Sequence, residues 1–341
     1  MDNSLLRILH LADPFHTLDD NELDLLIHDG EVVEFNNHDA ILTQGRPGPG
    51  LYLLLHGKVN ITVNALGKGT IHLATLKPGQ FFGEVNLIEH TLCTATVKAK
   101  GKVLCFFLSK LIYDMFYLGF PLLHYKISQS LLVDVLKRQR AMCTLIQSNS
   151  KKAFREKINL TKHSRKPAKH YLKWSNDEKI ATLGFLTNLP IFSSFSKHEI
   201  LKLITYGKVV EACSHYALVT ADSSQAVCYF ILTGSGMIQI PSSTGDITIS
   251  TLGPNKWLCA TSLIDKTINL YHARVGEIGR LLEFNKKTIN MMIKQEPELW
   301  SKMHDLLCQA CVAMQKNVNT QIIRMSCEKN KYLDFARPGE K

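Results

Sequence analysis

Apolar residues along this chain follow two styles: short runs bounded by glycine and proline, and longer stretches of helical period. Tyr52-Leu53-Leu54-Leu55 and the alternating Val59-Asn60-Ile61-Thr62-Val63 read as two β-strands, with Leu66-Gly67-Lys68-Gly69 where a hairpin turn is expected. Ile127, Leu131, Val135, Met142 and Leu145 recur roughly at i, i+4, i+8 and predict a helix with one apolar stripe. Ser175 followed three residues later by Glu178 predicts a helix start. Leu281-Leu282-Glu283-Phe284 is strand-like, and roughly the last 45 residues read as one or two helices, with Met303, Leu307, Cys311 and Met314 on one face.

The pattern occurs twice. Ile41-Leu42-Thr43 through Leu51-Tyr52-Leu53-Leu54-Leu55-His56-Gly57 aligns without a gap, 177 positions on, with Leu218-Val219-Thr220 through Cys228-Tyr229-Phe230-Ile231-Leu232-Thr233-Gly234. The same offset carries Phe15 to Phe192, Leu18 to Phe195 and Glu22-Leu23 to Glu199-Ile200. After the loss of one residue, Leu76-Lys77-Pro78-Gly79 aligns with Leu252-Gly253-Pro254-Asn255. A duplicated domain of short strands followed by helices predicts an α+β chain of two tandem β-rolls (jelly rolls), each flanked by helices. The expected divisions are 1–136 for the first domain, 137–174 for a basic linker and helix, and 175–341 for the second domain with its C-terminal helices.

A length of 341 residues with 45% hydrophobic and 21% charged residues suits two globular cores and excludes a disordered or collagen-like chain. With no long uninterrupted apolar run, no secretory pattern at Met1-Asp2-Asn3 and nine irregularly spaced cysteines, the expectation is a cytoplasmic protein with free thiols. The formal charge of +10 is concentrated: Lys137 to Lys173 holds twelve Lys/Arg and one acid, Glu156. That run reads either as a solvated connector or as a surface for nucleic acid, anionic membrane or an acidic protein.

Lys77-Pro78-Gly79-Gln80-Phe81-Phe82-Gly83-Glu84-Val85-Asn86-Leu87-Ile88, followed by Ala95-Thr96-Val97-Lys98-Ala99-Lys100, resembles the phosphate-binding cassette of cyclic nucleotide-binding domains. The tandem arrangement is similar to regulatory subunits of cAMP-dependent protein kinase, although the sequence opens almost directly on Ile8–Phe15, so the dimerisation and inhibitor segments of those subunits are not expected here. The resemblance implies a ligand site made by Gly83, Glu84, Val85, Asn86, Cys93, Thr94 and Ala95. Gly83 lets backbone approach a phosphate, the following short helix turns its N–H groups toward the anion, and Glu84 accepts a hydrogen bond from the ribose 2′-hydroxyl.

Where the family has its phosphate-pairing arginine, this chain has Cys93, with Leu92 in place of the usual proline. A neutral thiol does not replace that charge-assisted contact, whose loss costs about 1.5–3 kcal/mol or roughly 10- to 100-fold in affinity. Thr94 offers a hydroxyl and an amide, and Arg46 or Lys98 a distant charge. The resemblance therefore implies a cyclic nucleotide such as cAMP or cGMP, bound weakly, or an uncharged nucleoside as the expected ligand. The alternative for the same residues is that Phe82, Leu87 and Val97 pack a core, Glu84 caps or pairs with a neighbour, and Gly83 marks a bend.

In the second copy Trp257-Leu258-Cys259-Ala260-Thr261-Ser262-Leu263-Ile264 stands at the cassette, so Ala260 replaces the carboxylate and Asn269 the arginine. Both ligand contacts are lost. His304, Cys308 and Cys311 share a helix face, but with the apolar stripe around them they read as core rather than as a metal site. No catalytic motif, cofactor fingerprint or helix-turn-helix is found, so the chain reads as non-enzymatic and without a resident cofactor or metal. It is expected to sense its ligand in the first domain and pass the signal through the helix after the roll. The rival expectation is a ligand-independent scaffold for a protein partner.

Overall fold

The computed structural model of the protein describes Leu9, Phe15 and residues 18–65, 69–149, 169–242, 245–264 and 267–335, with backbone only at 149 and 326–335. The expected turn at 66–68 and the basic clusters between 150 and 168 lie outside the described residues.

The first roll opens with helix α1 (Asp20–Asp29), which Asp19 and Glu22 start by a reciprocal capping box with both bonds at 2.9 Å. Strands β1 (Glu31–Phe35), β2 (Ala40–Leu42), β3 (Gly50–Ala65), β4 (Gly69–Leu76), β5 (Phe81–Phe82) and β6 (Thr96–Ser109) form an antiparallel sheet in the order β1-β6-β3-β4, with β2 on β6 and β5 on β3. Helix α2 (Glu84–Glu89) interrupts the strands, and α3 (Lys110–Gly119) and α4 (Pro121–Asn149) follow them.

The two strands expected at Tyr52–Leu55 and Val59–Val63 are one strand. The chain crosses from one to the other through Gly57 at φ 88°, where the pairing with β6 shifts register on both sides of His56. A Cβ at Gly57 would lie 2.4 Å from the Lys102 carbonyl, so glycine permits the bulge that keeps the strand continuous.

Alternation along β3 and β6 divides two cores. Leu51, Leu53, Phe81, Phe106 and Leu108 face helices through Leu23, Leu26, Tyr113, Phe116, Leu123, Ile127 and Leu131. Tyr52, Leu54, Phe82, Cys93, Val97 and Cys105 fill the roll interior. Burial on both faces explains why Tyr52–Leu55 is apolar throughout instead of alternating. The α4 stripe holds at Ile127, Leu131 and Val135 but then moves: Cys143 and Ile146 are buried, whereas the expected Leu145 is 46% exposed. Leu136, Cys143 and Ile146, which share one face at 3.6 residues per turn, form the buried side there.

The second roll repeats the plan. Helix α5 (Asn176–Thr187) starts at the expected Ser175–Glu178 capping box, and α6 (Lys197–Tyr206) at a Ser196–Glu199 box 177 positions after the one at Asp19–Glu22. One sheet has the order β13 (Trp257–Leu258), β10 (Val227–Ile231), β15 (Gly279–Asn285), β8 (Lys208–Ala212), β7 (Lys169–Tyr171). The other runs β12 (Ile247–Leu252), β11 (Gly236–Ile240), β14 (His272–Val275), β9 (Ala217–Val219). Short α7 (Ala260–Ile264) stands where α2 stands in the first copy, and α8 (Lys286–Gln295) and α9 (Pro297–Phe335) close the fold.

The basic stretch from 137 to 173 is not uniform. Its first residues continue α4 to Asn149, and its end forms β7, where Lys169 pairs with buried Glu283 and reaches the Tyr229 hydroxyl at 3.2 Å. Compactness divides the described chain within α4, between Arg138 and Gln139; the α9 end from Asn319 groups with the first unit and Gln139–Val318 form the second.

Candidate functional site

The cassette is held by a turn that only a few residues permit. Gly79 at φ 86° and Gly83 at φ 89° bracket β5, and a Cβ on Gly83 would fall 2.5 Å from the Gly50 carbonyl. Helix α2 therefore starts directly against β3, with no side chain capping its first turn. Leu87 and Ile88 anchor it in the core, and Glu84 and Asn86 are buried with them at 3% and 4% exposure.

A buried carboxylate needs a partner, and Glu84 has one. Arg138, on α4 and 54 residues away, places Nη2 2.7 Å from Glu84 Oε1, while its Nε donates to the Asp134 carbonyl at 3.3 Å. Both side chains are shielded, 18% exposed for Arg138 and 4% for Glu84, so this ion pair is far less screened than a surface one. Asp134 joins the cluster: burial pushes its carboxyl up, against the pull of Arg138, the Phe81 amide and Lys137. In the sequence Arg138 falls within a basic run, and the charges expected near the cassette, Arg46 and Lys98, are both exposed. Its position on a helix whose buried stripe passes Leu131 and Val135 was the available signal, since residue 138 lies one turn on along the same side.

The Cys93 side of the cassette is closed by backbone. Gly45 N–H donates to the Cys93 carbonyl and Cys93 N–H to the Arg46 carbonyl, each at 2.8 Å, and Pro47 bridges Leu92. The Cys93 thiol, 5% exposed, donates to Asn86 Oδ1 at 3.7 Å. Burial pushes that thiol up, so it stays neutral at pH 7. Asn86 also leaves no room at Gly48, where a Cβ would lie 2.0 Å from Nδ2. The structure thus brings Gly83, Glu84, Asn86 and Cys93 together, with Val85, Thr94 and Ala95 half-buried beside them.

The second cassette keeps the backbone and changes the contents. Cys259 takes φ 64° at the position of Gly83, and Asn255 φ 67° at that of Gly79. Tyr271, at the position of Ala95, brings its hydroxyl onto Thr261 and, at 2.6 Å, onto Ser262. Asn269 donates to the Ser223 and Gln225 carbonyls at 3.0 and 3.2 Å. Tyr271 and Asn269 are thus hydrogen-bonded within the roll, and Ala260 offers no carboxylate. Among the described residues no group of three or more His, Cys, Asp or Glu is placed to hold a metal ion, and no helix is long and apolar enough to cross a membrane. His304 and Cys308 contact one another in the core, with Nδ1 to Sγ at 3.5 Å.

Comparison with known proteins places the first roll. Residues 32–113 match the family model of the cyclic nucleotide-binding domain. A cAMP-dependent protein kinase regulatory subunit of Dictyostelium discoideum is 33% identical over 78 residues, 22% of this chain and 24% of that one. A cyclic AMP receptor protein of Thermus thermophilus is 36% identical over 75 residues, 22% of this chain and 35% of its own. The chain thus spans about a quarter to a third of the length of these curated relatives. Among solved structures, the regulatory domain of Toxoplasma gondii PKA with cAMP covers 88% of this chain and 95% of its own at 16% identity and a TM-score of 0.30. The glycine-bounded strand, the left-handed turn into α2 and β6 all fall inside the residues that match the cyclic nucleotide-binding domain model.

Proposed function

We propose that the chain is a non-enzymatic regulatory protein of the cytoplasm, in which the first roll senses a cyclic nucleotide (cAMP or cGMP) or a related nucleoside and α4 reports its arrival. The observation that carries this reading is the Glu84–Arg138 ion pair. Glu84 is the group that would take a ribose hydroxyl, and Arg138 belongs to the helix that leaves the roll. A ligand that claims Glu84 competes with or rearranges that contact, so binding and the position of α4 become linked. Linkage requires the ligand to bind one arrangement of α4 better than the other.

The neutral Cys93 favours ligands that do not depend on a strongly paired phosphate. The second roll, with its cassette filled by Tyr271 and Asn269, then serves as a structural or protein-docking unit. Calorimetric titration of the intact protein with cAMP, cGMP, adenosine, inosine and guanosine tests the reading. Heat that disappears in Glu84→Ala supports the site; heat retained in that variant rejects it.

A second reading rests on a separate observation: Glu84 is paired with Arg138, and Asn86 with Cys93, by contacts within the roll itself. On this reading the protein is a ligand-independent scaffold. No heat with any nucleotide or nucleoside, for wild type and Cys93→Arg alike, would favour it.

A further inference from the structure

The duplication provides an internal control for surface chemistry. On α3, Leu111, Met115 and Leu118 follow one another at i, i+4 and i+7 and so share one face, opposite the inward Tyr113 and Phe116. They are 70%, 54% and 81% exposed, and the corner into α4 adds Phe120 at 49% and Leu122 at 63%. Scattered exposed leucines are ordinary, but five large apolar side chains within twelve residues form a patch of the kind that marks an interaction surface. The second roll shows that the fold does not require it. At the equivalent positions stand Lys287, Met291, Lys294, Glu296 and Glu298, four of them charged; the first three lie on α8, a helix of the same length as α3 with the same kind of cap.

We infer that the α3 face is a self-association surface, on which a second copy of this chain seats the same five residues in a two-fold symmetric contact. Charge selects this occupant. The charged residues of α3, Lys110 and Asp114, neutralise each other at 2.5 Å, and nearby Lys126 is held by Glu22 at 2.7 Å. Among the described residues a charged partner finds no complementary group here. A helix lying on an anionic membrane would be bordered by uncompensated Lys or Arg, and among the described residues none borders this face. Two copies of an apolar, electrically neutral face meet without like-charge repulsion, and a two-fold contact asks each surface to complement itself. The patch is small beside interfaces of standard size, so the dimer belongs at the weak, micromolar end.

Sedimentation equilibrium on the full chain from about 1 to about 100 µM tests the inference. The expected result is a monomer–dimer equilibrium whose dissociation constant rises about 100-fold in Leu118→Glu, because each dimer loses two buried leucines. Leu111→Lys should act likewise, and Lys294→Glu on the second roll should leave the constant unchanged. Melting temperatures unaltered by these exposed substitutions separate loss of contact from loss of fold. A wild-type chain that stays monomeric over this range overturns the inference, whether or not it then binds vesicles or another protein. A dimer unmoved by both α3 variants overturns it as well.

Discussion

The two rolls share a backbone and differ in what they bury at one place. In the first, Glu84 on α2 meets Arg138 on α4; in the second, Ala260 and Met314 occupy the same two positions, 5% exposed each. Both members of the pair changed together. The change is chemically consistent, because a buried carboxylate without its cation is costly, whereas two apolar residues need no partner. A second ion pair was kept: Lys126 meets Glu22 at 2.7 Å and Lys302 meets Glu199 at 2.8 Å, in equivalent positions. Tying the helix before the roll to the helix after it is thus common to both copies. A buried charge on the cassette belongs to the first alone.

The strongest way to break this comparison is to remove one half of the pair. Arg138→Ala should destabilise the first roll by about 3–5 kcal/mol, while Glu84→Ala with Arg138→Met, which installs the second roll's residues, should lie within about 1 kcal/mol of wild type. Hydrogen exchange of β3 and β6 amides is the suitable measurement, since Trp174, Trp257 and Trp300 all belong to the second unit and report only on it.

The rolls should also respond to pH in opposite directions. Burial lowers His124, packed against Tyr113 and Tyr117, to about 4. Its unfolded form takes a proton near pH 6.5, so acidification from there to about 4 weakens the first roll. Burial raises Asp305 in the second roll to about 7. Its unfolded form releases the proton near pH 4, so its contribution is full at low pH and is lost as pH rises to about 7. Each effect is on the order of 3 kcal/mol. His124→Gln and Asp305→Asn, followed by exchange or urea unfolding across pH 4–8, should each remove the corresponding slope and leave the other.

Restoring the missing charge sharpens the comparison at the ligand. Cys93→Arg should raise affinity for cAMP or cGMP by about 10- to 100-fold and leave adenosine and guanosine unaffected, read by calorimetry. Asn269→Arg in the second roll should produce no such gain, because Ala260 and Tyr271 remain. The smallest effect is expected at the shared ion pairs. Lys126→Met and Lys302→Met should each cost under about 1 kcal/mol, and equally, because both pairs are partly exposed.

Much of this molecule is governed by short-range rules and was legible for that reason. The capping box at Ser175–Glu178, the glycine-marked turns around Phe81-Phe82 and the 177-residue repeat each involve a few neighbouring residues whose backbone preferences do not depend on distant contacts. The replacement of the family's arginine by Cys93, and of the carboxylate by Ala260, is likewise a statement about residue identity. Strand continuity through Gly57 and the displacement of the α4 stripe to Cys143 and Ile146 were not legible, since both depend on what lies across the sheet or beneath the helix.

Sequence alone determined that there are two related rolls and that the two cassettes carry different residues. Only the tertiary structure decided what those residues meet: Arg138 on Glu84, Tyr271 on Thr261 and Ser262, and Lys169 on Glu283 across 114 positions of chain. The physical reason is desolvation. A charge or hydroxyl in a linear sequence is always satisfied by water, and its obligation to a particular partner arises only when folding removes that water.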